Sequence, residues 1–421
     1  MHLIYRNTCR VCGSSHLSKV IDLGEQFLQN MFVKPDMPHP PTRKIPMIIL
    51  RCDPTRDEKA CGLLQLAHSV PPAILYSSYW YRSGTNHTMR NHLKNIAEEA
   101  SLMVPKKRAT VLDIGCNDGT LLSFYPSRYR KFGIDPSNAI EEVKLKNAIL
   151  VRDVFPSIEL EQKSEGILFD SITSIAMFYD LDNPVDFARH IRKILSPKGL
   201  WIFEMYYMPN MLRQNCYDTI CHEHLEYYSL AVIEYILRKS EMKLIKANLN
   251  NINGGSIRCY ATPIDNFSFN NYEDTRLIND LRKQEFDLEL DTDKPYKIFQ
   301  KNIFTLKKEL YVLLTKLKKE GKRIHTYGAS TKGNTILQFC HIDNSIIEYA
   351  ADRNPAKYGA KTLGTNIPII SEEQSRAMNP DYYLVLPWSF RDEFLTREKK
   401  TLDRGVGMIF PFPRIEIVKK K

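Results

Sequence analysis

Nowhere in the 421 residues is there a run of about 18 to 20 apolar side chains, so no segment reads as a helix crossing a bilayer. The first ten residues, Met1 to Arg10, lack the apolar centre of a secretory leader. Low-complexity tracts are missing as well. With 18 glycines and 23 prolines spread along the chain, neither collagen-like repetition nor extensive disorder fits. These absences leave a globular chain, expected to be soluble and cytoplasmic, with length for two or three domains.

What is present begins with charge. Lys and Arg number 59 against 49 Asp and Glu, a formal charge of +10. That excess suits a nucleic-acid surface, an anionic small substrate or a solvated basic face, and charge alone does not choose. Much of it lies in residues 301–323, where Ile303, Leu306, Leu310, Leu313, Leu314 and Leu317 recur at helical spacing among lysines. One basic face with few aromatics describes an amphipathic helix with a wet side.

Four of the nine cysteines fall in the first 61 residues: Cys9 and Cys12 as C-x2-C, then Cys52 and Cys61 around an eight-residue insert. Two thiolate pairs on separate turns suit a tetrahedral structural Zn²⁺, with no open position for catalysis. The long second spacer leaves His68 or Asp53 as alternatives to Cys61 for the fourth ligand. Free buried thiols or a redox C-x2-C are the competing explanations. The other five cysteines are scattered, as expected of reduced thiols.

In the middle, KRATVLDIGCNDGTLL passes from a β-rich run through a glycine turn into a helix-compatible segment. Asp113, Gly115 and Gly119 form D-x-G-x-x-x-G, with Asn117 and Asp118 in the loop; the glycines allow a sharp bend and close approach to a ligand. Asp113, an acid at the strand end, would repel a pyrophosphate and suits a cationic, amino-acid-like ligand. The next strand ends at Asp135, about 20 residues on, where a carboxylate meets ribose hydroxyls in doubly wound sheets. Together these predict S-adenosylmethionine (SAM), with Pro136, Asp153 and Ala176 completing the expected cofactor set. Further strand-like runs alternate with the helix PVDFARHIRKIL, giving a class I SAM-methyltransferase core, or else another nucleotide-binding α/β domain.

The last third repeats the pattern. GKRIHTYGASTKGNTILQFC reads as strand, turn and helix, but Lys332 precedes Gly333, so it is not a Walker A loop. Backbone N–H groups at that helix start, with Lys332 and Asn334, would suit a diphosphate. Arg353, Asn354 and Lys357 cluster further on, and Asn253 opens a second glycine turn, NGGSIR.

These motifs, together with IDLGEQFLQNMF, IAMFYDLDNP and YDTICHEHLEYYS, resemble in order and over nearly the whole chain the deoxysugar C-methyltransferases that act on nucleotide-linked 4-keto-6-deoxyhexoses. The resemblance implies an α/β chain of three units: a zinc-binding module at 1–75, a Rossmann-like SAM core with its catalytic segment at 76–250, and a second Rossmann-like α/β domain at 251–421 that grips the sugar nucleotide. It also assigns the base that forms an enolate at C3 to His224, with Glu223 as close partner. His222, Tyr79 or Tyr81 would stabilise the enolate oxygen, and residues 76–86 would form a flap. Some members carry a tyrosine where this chain has Cys221. A histidine near its usual pKa of about 6.5 would match the proton transfer. An O- or N-methyltransferase on a nucleotide sugar is the nearest alternative, and a zinc-containing RNA-binding protein a distant one. No nucleic acid or membrane partner is expected, and oligomeric state is left open.

Overall fold

The computed structural model describes residues 3–76, 79–269 and 272–420. The Thr110–Ile114 strand, buried through almost its whole length, stands inside a seven-stranded sheet. From edge to edge the strands are Met242–Asn250, Ser256–Pro263, Leu195–Tyr206, Phe169–Ile175, Thr110–Ile114, Arg130–Ile134 and Ala148–Val151. The last five are parallel, and Ser256–Pro263 runs antiparallel to both its neighbours. Parallel strands covered on both faces need largely apolar runs, and TVLDI, KFGI and WIFEM are buried almost throughout, with Asp113, Lys131 and Glu204 as their ionisable exceptions. The chain leaves Thr110–Ile114 in one direction and returns on its other side, so a crevice opens beyond the carboxyl ends of these strands.

Two details depart from the sequence pattern. Phe169 pairs with Leu195 but Ser171 with Leu200, so Pro197-Lys198-Gly199, a turn-like sequence, is a bulge within the strand. The sheet also continues past residue 250, because Ser256–Pro263 is one of its inner strands.

The N-terminal module is a four-stranded antiparallel sheet in the order Glu226–Tyr227, Leu64–Leu66, Ile45–Cys52, Leu17–Gln26. Its outer strand comes from the far side of the core sequence. The C-terminal unit is a six-stranded sheet, Ile369–Ser371, Tyr349–Asp352, Ile324–Tyr327, Tyr382–Val385, Gly407–Phe410, Glu416–Val418, parallel except for the last strand. The basic segment is a helix, Lys294–Lys319, that starts seven residues before its predicted span. Tyr296, Phe299, Ile303, Leu306, Leu310, Leu314 and Leu317 form its buried stripe, three or four residues apart. No helix among the described residues is long and apolar enough to cross a membrane.

Candidate functional site

The four early cysteines meet. The sulfurs of Cys9, Cys12, Cys52 and Cys61 all lie within 4.8 Å of one another, with Cys9 to Cys61 at 3.6 Å and Cys12 to Cys52 at 3.4 Å. Tetrahedral zinc with bonds of about 2.3 Å places its sulfurs about 3.8 Å apart, so the quartet fits the ion. The Cys12 thiol is drawn down by hydrogen bonds from Cys52, Cys61 and Cys9, while Cys9 and Cys61 are pushed up by theirs; four crowded thiols share protons they cannot all lose until a cation joins them. The alternative ligands are engaged elsewhere. His68 bonds His222, and Asp53 accepts from Ser18, Thr55 and Arg51.

The glycine loop follows Thr110–Ile114, with Gly115 and Gly119 at φ +74° and +72°. A side chain at Gly115 would strike Met177, and one at Gly119 would come within 2.7 Å of Val143. Asp135, at the tip of the neighbouring strand, fixes the loop by accepting from the Asn117 backbone N–H at 2.9 Å and the Ser137 N–H at 2.8 Å. Asp113 is buried and accepts from Thr173 Oγ1 at 2.6 Å; burial pushes its carboxyl up to about 7 against that hydrogen bond, with Asp135 adding to the rise. Pro136 is half-buried beside Asp135. Ala176, at φ +55°, turns the chain out of Phe169–Ile175 with its N–H on the Glu204 carbonyl. Asp153 is exposed beyond the edge strand, where it accepts from Ser157 Oγ and the Val154 N–H.

The histidine-rich run hangs between this crevice and the N-terminal sheet. His224 donates from Nδ1 to the Thr219 carbonyl at 2.8 Å, which fixes its tautomer and leaves Nε2 as an unprotonated lone pair. Its ring lies 4.3 Å from that of Tyr179. Burial, with the Lys332 ammonium adding to it, brings its pKa down to about 3, so the value near 6.5 expected from its type does not hold. Glu223 shows the opposite response to the same dryness: only 6% exposed, it is pushed up to about 7 by burial, against hydrogen bonds from Asn30 and Thr331. Asn30 Nδ2 donates to Glu223 Oε1 at 3.0 Å. Asp180, also buried, is raised by burial and by the nearby Glu223 and Glu226.

His222 is a correction. It is 1% exposed and faces away from the crevice: Nε2 donates to the Gln26 carbonyl at 3.4 Å and Nδ1 accepts from His68 Nε2 at 3.0 Å. With both nitrogens occupied inside the N-terminal module, it has no free donor for an enolate oxygen.

Comparison with known proteins accounts for nearly all of the chain. A zinc-binding-domain family model matches residues 9–76, a methyltransferase-domain model 85–247, and a C-methyltransferase C-terminal-domain model 251–413. The C-methyltransferase NovU of Streptomyces niveus is 24% identical over 420 residues, which cover 97% of this chain and 96% of NovU. Together these matches support a SAM-dependent C-methyltransferase. Among solved structures, a SAM-dependent methyltransferase of Clostridium acetobutylicum is 12% identical, covering 41% of this chain and 92% of its own at a TM-score of 0.34. A Pyrococcus horikoshii protein is 15% identical, covering 44% and 94% at 0.35.

The methyltransferase brings its third unit to the same crevice, though not by the contacts first expected. Lys332 donates to the Asn253 carbonyl at 2.8 Å and rests over the Tyr206 ring, 4.7 Å from its centroid. Asn334 is fully buried and donates to the Gln29 carbonyl at 2.6 Å, so it ties the third unit to the first and presents nothing to a diphosphate. Arg353 is likewise spent, bracketed by Glu372 and Glu393 at 3.4 Å each. Its neighbour Asn354 instead donates to the Trp80 carbonyl at 2.9 Å.

That contact belongs to the flap segment, of which Ser77 and Ser78 lie outside the described residues. The Ser83 N–H donates to Asn117 Oδ1 and the Gly84 N–H to Asp118 Oδ2, so the loop residues expected to touch cofactor also anchor residues 83–84. The Tyr79 N–H donates to Asn138, while Tyr81 is 47% exposed and its carbonyl accepts from Asn117 Nδ2. Sequence reasoning missed Thr219, Tyr179 and Asn30. Asn30 had a signal, since it sits in the IDLGEQFLQNMF run, but nothing local says that it reaches a carboxylate 193 positions away.

Proposed function

We propose that the methyltransferase makes a carbon–carbon bond on a nucleotide-linked 4-keto-6-deoxy sugar, adding methyl at C3 through an enolate, as a step toward a branched-chain deoxysugar. The observation that carries this reading is the His224–Thr219 hydrogen bond, which leaves one imidazole nitrogen unprotonated and unoccupied at neutral pH. Carbon beside a ketone is not nucleophilic until it loses that proton: the C3–H bond breaks, the proton moves to His224 Nε2, and the electron pair passes to the C4 oxygen. Glu223, ionised above about pH 7, balances the imidazolium so formed. Tyr79 and Tyr81 supply hydroxyls for the enolate oxygen, and Lys332 with Asn253 borders the sugar nucleotide. SAM, when bound at the glycine loop and Asp135, supplies the electrophilic methyl. An oxygen or nitrogen acceptor would need no carbon-acid base, and the C-methyltransferase C-terminal-domain match supports carbon.

The test is methyl-labelled SAM with a panel of keto sugar nucleotides in D2O, followed by NMR. The expected result is exchange of the C3 proton and a new methyl on C3; His224→Gln retains SAM binding and loses the exchange. Label on oxygen or nitrogen, with no new carbon–carbon bond, overturns the reading. Because a C4 ketone acidifies C5 as well, the same spectra identify the carbon.

A further inference from the structure

The zinc site and the proton-transfer residues are joined by one buried side chain. We infer that Arg10, set between the metal ligands Cys9 and Cys12, is a positioning residue for the segment that carries the base, so that the metal holds catalytic geometry as well as its own module. This rests on the reading above for the role of His224 and Glu223. The Arg10 backbone belongs to the tight turn on which the ion sits: the Cys9 N–H donates to the Ser14 carbonyl and the Gly13 N–H to the Cys9 carbonyl. From that turn the guanidinium, with no exposed surface, runs toward the core. Nη1 donates to the Leu66 carbonyl at 2.7 Å, and Nη2 donates to the His68 carbonyl at 3.0 Å and Ser69 Oγ at 2.9 Å.

Two paths lead from it to the base-bearing run. One is ionic: Nε faces both Glu226 Oε1 and Asp182 Oδ1 at 3.6 Å, and of the two Glu226 is fully buried, with neither carboxylate oxygen in a well-formed hydrogen bond. The other runs through His68, whose backbone Arg10 holds and whose ring holds His222. His222 and Glu226 flank Glu223 and His224 on either side, so Arg10 fixes both ends of the run. The Leu66 N–H bond to the Leu225 carbonyl and the pairing of Glu226 with Gln65 complete the attachment. A buried carboxylate stripped of its cation is unstable where it is. Glu226 would then turn toward water, and strand Glu226–Tyr227 would peel from the edge it occupies.

The experiment uses the full-length zinc- and SAM-loaded enzyme and the variants Arg10→Met, Arg10→Lys and Glu226→Gln. Zinc content, SAM affinity, amide hydrogen exchange and steady-state turnover are measured on each. Arg10→Met is expected to keep its zinc and its SAM affinity, lose protection across residues 222–227 but not around the glycine loop, and drop kcat by about 100-fold with KM little changed. Arg10→Lys restores part of the protection and of kcat. Stripping zinc from the wild type with a chelator exposes the same amides. Unchanged protection and kcat in Arg10→Met overturn the inference. Should Arg10→Met shed its zinc, Glu226→Gln, which leaves the metal turn intact, decides: unaltered protection at 222–225 overturns the inference, and loss there supports it. If the wild type neither exchanges nor methylates keto sugars, the reading of His224 and Glu223 fails, while the exchange data still judge Arg10.

Discussion

Glu223→Gln offers the sharpest test of the dry, base-bearing site, because one substitution should raise stability and lower activity. Burial lifts the Glu223 carboxyl from its usual 4.5 to about 7. The folded protein therefore holds that proton more tightly than the unfolded chain does. Stability from this group is complete below pH 4.5, falls as pH rises toward 7, and is level beyond; at 1.36 kcal/mol per pKa unit the loss by pH 8 is about 3 kcal/mol. Glutamine retains an amide oxygen for the Asn30 hydrogen bond and does not titrate. Urea unfolding should show the variant more stable than wild type by up to about 3 kcal/mol at pH 8 and nearly equal to it at pH 4. Activity runs the other way. If the ionised carboxylate balances His224, wild-type exchange of the sugar proton in D2O should rise about tenfold between pH 6 and 8, as the anion fills, and the variant should be slow and flat. Wild type and variant with the same pH dependence of stability would refute the burial argument, and a flat wild-type exchange profile from pH 6 to 8 would refute the role of the anion.

The metal and cofactor sites give shorter tests. Cys61→Ser should lower zinc per chain well below that of wild type, by elemental analysis, while His68→Ala keeps it, because His68 is committed to His222 and not to the sulfur cluster. Gly119→Ala places a methyl 2.7 Å from Val143 at a φ of +72°; a loss of about 1–3 kcal/mol in stability and a clear weakening of SAM binding by calorimetry are expected.

Features written in neighbouring residues were legible. The glycine loop, its strand and Asp135 announce themselves because a parallel strand, a tight turn and the next strand tip follow one another within about 20 residues. The helix Lys294–Lys319 showed most of its buried stripe within 301–317 for the same reason. Contacts that join distant segments left no periodic trace. Nothing in HEHLEYY says that Glu226 and Tyr227 leave the core to edge the N-terminal sheet, and so His222 passed for a crevice residue. Asn334, inside the helix Thr331–Phe339, and Arg353, just past a strand tip, lie in stretches that read like ligand loops, but their partners, Gln29, Glu372 and Glu393, are fixed only by the packing of whole units. Even the pKa of His224 follows from burial that no local pattern encodes.

The division of labour among the units follows from the difficulty of the proposed chemistry. An enolate on a sugar is quenched by any proton donor that reaches it before the methyl does, so the cleft has to exclude water at the moment its base is charged. No single unit can do this. The glycine loop provides one wall, Asn30 reaches Glu223 from the zinc module, and Lys332 approaches from the third unit. Trp80 spans them: it packs on Phe32 of the first unit with ring centres 5.7 Å apart, its carbonyl is held by Asn354 of the third, and the following residues of the flap are pinned to Asn117 and Asp118 of the second. Burial drives His224 down and Glu223 up, so the opposed pKa values are two consequences of one low-dielectric environment. Cutting the Asn354–Trp80 link would then move both back toward their usual range.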